Sequence, residues 1–354
     1  MRATAMSSLR SYRTLGTSGL RVSPLALGTM TFDGSDEETA HQIIDRYTQD
    51  GGNFLDTANG YSRGRSEETI GAYLAKHDGL RDRLVLSTKF AGNLFAGDPN
   101  GGGGGRKAIV QQVEGSLRRL GTDYIDLYWL HNHDRHTPIE ETMSTLDDLV
   151  RAGKIRYIGL SDTPAWEVAR AATIAQFRGW ANVAAIQVEY SLLERTVEGE
   201  LFGAARELGL GVTPWSPLAG GVLSGKYSRD TQTPEDSARA AYNGHRLTDT
   251  AFDVLDALQH ISADLKASVA AVALAWVRQQ DLVTSTIIGA RTLPQLEANQ
   301  ASLDVTLTAE NLAELDALTT PQLNFPFGFL ASTAPIWQQN GATINGITSP
   351  TMPG

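Results

Sequence analysis

The sequence predicts a (β/α)8 barrel, an α/β fold of the TIM type, with an N-terminal β-hairpin and a C-terminal tail folded over the barrel mouth. Two observations carry the prediction. Short apolar runs recur eight times along the 354 residues, and each is followed by a polar loop and then by a stretch with helical periodicity. Strands that alternate with amphipathic helices form a parallel sheet with helices outside, and eight such units close into a barrel.

The segment YRTLGTSGLRVS (12–23) precedes the first unit and reads as a hairpin with a Ser-Gly turn, placed to plug the barrel bottom. The strands follow as LALG (25–28), NFLD (53–56), LVLSTK (84–89), IDLYWLH (125–131), IRYIGLS (155–161), AAIQVE (184–189), GVTPWS (211–216) and TSTIIGA (284–290). Between them lie helical patterns at 36–50, 66–77, 106–121, 139–153, 164–177 and 198–209, a longer pair within 250–279, and LPQLEANQASL after the last strand. Several open on Ser, Asp or Pro and close on glycine, as at Gly121, Gly153 and Gly209, which is the cap asymmetry of α-helices. The run NGGGGGR (100–106) reads as a flexible loop after the third strand. Residues 321–354 lack helical period and are rich in Pro, Gly, Asn and aromatics. The expectation is one barrel domain, with its core at about 12–320 and the tail at 321–354.

Composition narrows the function. Net charge is −10 and no run of basic residues marks a nucleic-acid surface. The absence of cysteine excludes disulfides, thiolate metal sites and a cysteine nucleophile. With neither a signal-like N-terminus nor a long apolar span, the expectation is a cytoplasmic protein that binds no membrane, and oligomeric state is not readable.

The chemistry is concentrated at the strand exits. The second strand ends at Asp56 with Tyr61 in its loop, the third at Lys89, the fourth at His131, the fifth at Ser161 and Asp162, the sixth at Gln187, and the seventh at Trp215 and Ser216. In a barrel these positions share one space. A buried lysine keeps its charge only beside a carboxylate, which Asp56 supplies, and an ammonium beside a phenol lowers the phenol's pKa. Lys89 is thus expected to acidify Tyr61, with His131 holding the substrate oxygen. A proton given to a carbonyl oxygen is useful only if something attacks the carbon, and the chain has no GxSxG motif or thiol nucleophile. Hydride from a nicotinamide fits that need. Trp215 offers it a flat face, Ser161, Asp162 and Gln187 offer hydrogen bonds to its carboxamide, and Lys226 and Arg291 offer charge to its phosphates.

These motifs have a familiar order. LDTANGYSRGRSE, VLSTK, DLYWLH, IGLSD, IQVEYSLLER, WSPLAGGVLSGKY and IIGARTLPQLEAN together resemble the aldo-keto reductases, from about Leu15 to about Ala317. The resemblance implies a barrel that uses NADPH or, less often, NADH, with Asp56, Tyr61, Lys89 and His131 as catalytic tetrad. It also implies cofactor contacts from Thr29, Met30, Asp56, Ser161, Asp162, Gln187, Trp215, Ser216, Pro217, Leu218, Gly220, Lys226, Gly289, Arg291, Gln295 and Asn299. Two positions depart from the family pattern. Position 162, usually Asn, is Asp, which exchanges an amide for a carboxyl group; Ala298 stands where Glu often precedes the final Asn.

The activity implied is reversible reduction of an aldehyde or ketone, run backwards as oxidation of a secondary alcohol. A different class, a cofactor-sensing subunit of a membrane protein, is implied by channel-associated proteins resembling this family. The HNHD motif (131–134) prompts a third, a metal-dependent hydrolase, but no second cluster of ligands accompanies it. Phe32, Phe90, Trp129 or its neighbours, and the tail aromatics Phe325, Phe327, Phe329 and Trp337 are expected to line a hydrophobic substrate pocket, and Arg291 favours NADPH through its 2′-phosphate.

Overall fold

Every apolar run placed on a strand by its pattern forms one. The computed structural model describes residues 8–231 and 243–353. A hairpin pairs β1 (Arg13–Thr14) with β2 (Arg21–Val22), Arg13 opposite Val22. The barrel strands are β3 (Leu25–Gly28), β4 (Phe54–Asp56), β5 (Val85–Phe90), β6 (Ile125–Leu130), β7 (Ile155–Ser161), β8 (Val183–Glu189), β9 (Gly211–Trp215) and β10 (Thr286–Gly289). They form one eight-stranded sheet in the order β10-β3-β4-β5-β6-β7-β8-β9, with every ladder parallel. The ring closes just ahead of β10, where the Thr284 amide donates to the Val212 carbonyl at 2.8 Å.

Eleven described helices surround or follow the sheet: α1 (Glu37–Gln49), α2 (Arg65–Leu74), α3 (Arg106–Leu120), α4 (Ile139–Arg151), α5 (Ala165–Arg178), α6 (Glu200–Leu208), α7 (Asp249–Leu265), α8 (Val269–Arg278), α9 (Leu293–Gln300), α10 (Ala309–Thr319) and α11 (Phe327–Ala334). Side-chain caps hold α1, α7, α8 and α9 at Asp36, Thr248, Ser268 and Thr292, and left-handed Gly121, Gly179 and Gly209 end α3, α5 and α6. Helix α10 was not among the predicted elements, although Thr308 and Asn311 form a capping box at its start.

Two cores follow from strand alternation. Leu27, Leu55, Leu86 and Tyr128 point outward against the helices, while Ala26, Phe54, Val85, Leu127 and Trp129 fill the barrel interior. Leu15 and Val22 of the hairpin belong to the inner group, so the hairpin seals the lower end. A methyl group on Gly16 would strike the backbone at Gly209 and Gly211, which shows how closely the hairpin turn is seated.

Two segments differ from expectation. The glycine run after β5 is anchored rather than loose. Gly103 N–H donates to Ala91 O (2.9 Å), Gly104 N–H to Asp134 Oδ2 (2.8 Å), and Gln112 Nε2 to Gly101 O (3.1 Å). Its glycines allow close approach: a Cβ on Gly104 would lie 2.8 Å from Thr142 Oγ1. The tail, read as lacking helical period, contains α11, followed by a turn at Pro335–Gln339 and a hairpin pairing Thr343 with Thr348. Its Leu323 and Phe327 pack beside Gly199, whereas Phe325, Phe329 and Trp337 are 81%, 51% and 70% exposed.

Candidate active site

The strand alternation that separates the two cores also delivers the polar residues. Phe54 points inward, so Asp56 does too; Val85 inward brings Ser87 and Lys89; Leu127 and Trp129 inward bring His131. The outward Thr88 instead bonds buried Glu67 of α2 at 2.6 Å, and Glu67 is held by Arg119 of α3. That network fixes the second loop from behind.

Tyr61 arrives by a strained turn. After Gly60 the chain passes through left-handed Ser62 (φ 47°), Arg63 (φ 56°) and Gly64 (φ 94°) before α2 begins. Two consecutive non-glycine residues in that region are costly and signal an over-determined loop. The result places the phenol above β4 and β5.

There Lys89 Nζ donates three hydrogen bonds: to Asp56 Oδ2 (2.5 Å), to the Thr57 carbonyl (2.8 Å) and to the Tyr61 hydroxyl (3.1 Å). Asp56 Oδ1 accepts from Ser87 Oγ (2.7 Å) and from Gln187 Nε2 (3.2 Å), the latter reaching across from β8. The His131 ring stands edge-on to Tyr61 with centroids 5.7 Å apart. All four predicted ionisable residues therefore meet in one place. Ser87 was missed; its signal was parity, since it shares the inward face of VLSTK with Lys89.

The electrostatics refine one expectation. Burial pulls the Lys89 ammonium down, but Asp56 and Tyr61 overcome it and the pKa ends above its ordinary value, so the charge is kept. For Tyr61 burial is the largest influence and raises the pKa; Lys89 lowers it, Asp56 raises it, and the net shift is upward. Lys89 acts in the expected direction without winning. The phenol consequently rests protonated, ready to give a proton. His131 is pushed down to about 4 by burial and by Lys89, so its imidazole is neutral at physiological pH.

The remaining predicted residues occupy the other side of the mouth. Ser161 and Gln187 are buried, and Trp215 Nε1 donates to Asp162 Oδ1 at 3.0 Å. Loss of hydration against the surrounding protein pushes the Asp162 carboxyl up to about 6, although the residue is exposed at the mouth, where water screens its charge. Beyond β9, Ser216, Ala219, Gly220, Gly221 and Gly225 are all left-handed, Ser216 Oγ accepts from Gly220 N–H (2.9 Å), and Pro217 and Leu218 lie between. Lys226 is exposed at the end of this loop. Arg291 is exposed ahead of α9, its amide bonded to Gln295 Oε1 (2.8 Å), while Asn299 Nδ2 donates to Gly289 O (3.0 Å). Exposed Met30 follows Thr29, whose hydroxyl is committed to the Asp56 carbonyl (3.1 Å) and Ser66. Two cations, a loop of turned backbone amides and a flat indole make a donor set that fits a dinucleotide.

Of the predicted pocket aromatics, Phe90 packs on Tyr128 and Trp129 lies inside the barrel, whereas Phe32, though largely buried, lines a cleft with Arg291. The rim carries Trp166, 59% exposed and edge-on to His133 at 5.8 Å. Its position in the first turn of the helix after β7 was the available signal. Asp134 of the HNHD motif is spent on the Gly104 and His136 amides and the Thr137 hydroxyl, and no group of three metal-ligating side chains forms among the described residues.

Fold and site define a parallel barrel with a lysine-centred proton relay at the C-terminal ends of its strands. The chain belongs to the aldo/keto reductase family, whose model matches residues 24–320. It is 40% identical to an uncharacterized oxidoreductase, YrpG, of Bacillus subtilis over 86% of this chain and 94% of that protein. It is 33% identical to a putative aryl-alcohol dehydrogenase, AAD14, of Saccharomyces cerevisiae (88% and 86%), and 36% identical to a probable voltage-gated potassium channel subunit beta of Oryza sativa (87% and 96%). The family is one of oxidoreductases.

Proposed function

We propose that the protein catalyses reversible hydride transfer between a nicotinamide dinucleotide and a small aldehyde or ketone, with Tyr61 as general acid and, in the oxidation of a secondary alcohol, as base. The observation that carries this reading is the single ammonium of Lys89 shared between the Asp56 carboxylate and the Tyr61 hydroxyl. When bound, a reduced nicotinamide supplies the hydride. The chain does the rest: Tyr61 protonates the carbonyl oxygen, neutral His131 orients that oxygen, and Lys89, held charged by Asp56, steadies the phenolate left behind.

Trp215, Ser161, Asp162 and Gln187 would hold the nicotinamide end. The loop Ser216, Pro217, Leu218, Gly220 to Lys226 would hold the phosphates, with Arg291, Gln295, Asn299 and Gly289 at the adenosine end and Thr29 and Met30 beside β3. Arg291 favours NADPH over NADH by pairing with the 2′-phosphate. Trp166 at the rim, together with the similarity to an aryl-alcohol dehydrogenase, supports an aromatic carbonyl substrate. Titration with NADPH and with NADH, followed by a panel of aryl and alkyl carbonyls monitored at the nicotinamide absorbance, tests this. Binding with turnover of aryl carbonyls is expected; absence of dinucleotide binding would overturn it.

A second reading, a cofactor-sensing subunit of a membrane protein, is favoured by the similarity to the channel subunit. No single described helix is long and apolar enough to cross a membrane, so such a role needs a partner. Co-purification with a membrane protein in fixed stoichiometry would favour it.

A further inference from the structure

Asp162 places a second carboxyl group in the mouth, and nothing in the proton relay uses it. It sits at the exit of β7 in a left-handed conformation (φ 43°), with its Oδ1 taking the indole N–H of Trp215 from β9. Carboxyl and indole thus form one wall across three adjacent strands, with Gln187 of β8 between them and bonded onward to Asp56. The wall is within electrostatic reach of the relay, since the charge on Asp162 is felt at Tyr61 and the charge on Lys89 is felt at Asp162.

A hydride donor that serves a carbonyl held by Tyr61 would have to come within about 3–3.5 Å of its carbon, in the mouth that the phenol and this wall share. In the reaction proposed above, the donor's C–H bond breaks and a C–H bond forms at the carbonyl carbon. The π pair moves to oxygen, which takes the Tyr61 proton, and the donor ring gains one positive charge. Reduced and oxidised cofactor therefore present different charges to the same wall.

Resting on the dinucleotide reading, we propose that Asp162 is a state-selecting residue, whose carboxylate holds the oxidised, cationic nicotinamide more tightly than the neutral reduced form and so biases the bound cofactor toward giving up hydride. An asparagine there could hydrogen-bond the same groups without distinguishing the two states. Among the described residues, the charged and titratable groups around Asp162 can be named: Glu194 lines the same cleft and accepts from the Thr196 amide at 3.0 Å. Glu189 at the end of β8 is paired with Arg246 at 2.7 Å, Lys89 is neutralised by Asp56, Tyr61 is protonated, and His133 approaches through its backbone amide at 3.3 Å. Partial loss of hydration first, and Glu189 among the charges, raise the carboxyl of this exposed residue to about 6, so the selection grows as pH rises through that value and fades below it.

Calorimetric titration of the full chain with NADP+ and with NADPH, below and well above pH 6, tests the proposal in wild type and in Asp162→Asn. The variant keeps an acceptor for Trp215. The ratio of the two affinities is the readout, because the 2′-phosphate is common to both forms and its titration cancels. Above pH 6 the wild-type ratio should favour NADP+ by about five- to tenfold more than the variant's, with the difference closing at low pH. Equal ratios at every pH would overturn the proposal. If the variant fails to fold, the pH dependence of the wild-type ratio decides in the same way. Failure of NADP(H) and NAD(H) alike to bind would instead overturn the dinucleotide reading.

Discussion

The two ends of this barrel are built to opposite rules. At the lower end the hairpin turn presses on the β9 end of the sheet so closely that Gly16 has no room for a methyl group, and Leu15 and Val22 continue the apolar interior. At the upper end the same inward-facing rows finish in Asp56, Lys89 and His131, and the loop that brings Tyr61 adopts two strained left-handed residues. One end gains by burying apolar surface without voids; the other spends conformational strain and desolvation to hold charges that a core would exclude. The contrast teaches where changes should cost stability and where they should cost chemistry.

Lys89→Met breaks the contrast most severely, because Lys89 belongs to both accounts. It leaves Asp56 buried without its cation, for an expected loss of about 3–5 kcal/mol of stability, and it removes the support for the Tyr61 phenolate, for a loss of about 10²–10⁴ in turnover. Denaturant titration and steady-state kinetics check the two separately. A variant as stable as wild type would mean that the pair is less enclosed than 2.5 Å and near-complete burial imply.

Gly16→Ala probes the lower end alone. With φ at 58° and the Gly209 and Gly211 backbone in the way, it should destabilise by about 1–3 kcal/mol while the folded fraction keeps its specific activity. A loss of specific activity there would erase the division between the ends.

The pH profile sharpens the upper end. A phenol raised above 10 is protonated through neutrality, and an imidazole lowered to about 4 is neutral there, so the maximal reductive rate should be flat around pH 7. Above neutrality it should fall as alkaline pH strips the phenol, whereas alcohol oxidation, which needs the phenolate, should rise in that range. A sharp inflection of kcat near 7 in either direction would contradict the assignment of both groups.

The legibility of the fold and of the site came from the same source. Short apolar runs, each followed by a polar loop and a helical stretch, located all eight barrel strands, and the polar residues at their exits marked the relay. What was not legible depended on distance and packing. The glycine run looked flexible because sequence does not reveal that Asp134 and Gln112 reach it. The net direction of the Tyr61 shift depended on how deeply the phenol is buried, a quantity no motif encodes. Phe90 and Trp129 are hydrophobic residues near strand exits like any pocket wall, yet they turn into the two cores; Trp166, hidden in a helical pattern, turns out to the rim.

The relay itself is tested most directly by Tyr61→Phe, measured for thermal unfolding and for a single turnover of dinucleotide-loaded enzyme with an excess of carbonyl substrate. The Phe ring fills the same place without the hydroxyl that Lys89 holds at 3.1 Å, so the unfolding midpoint should stay close to wild type while the rate falls at least about a hundredfold. A hydride-transfer rate near that of wild type, with the dinucleotide bound, would contradict the account at its centre.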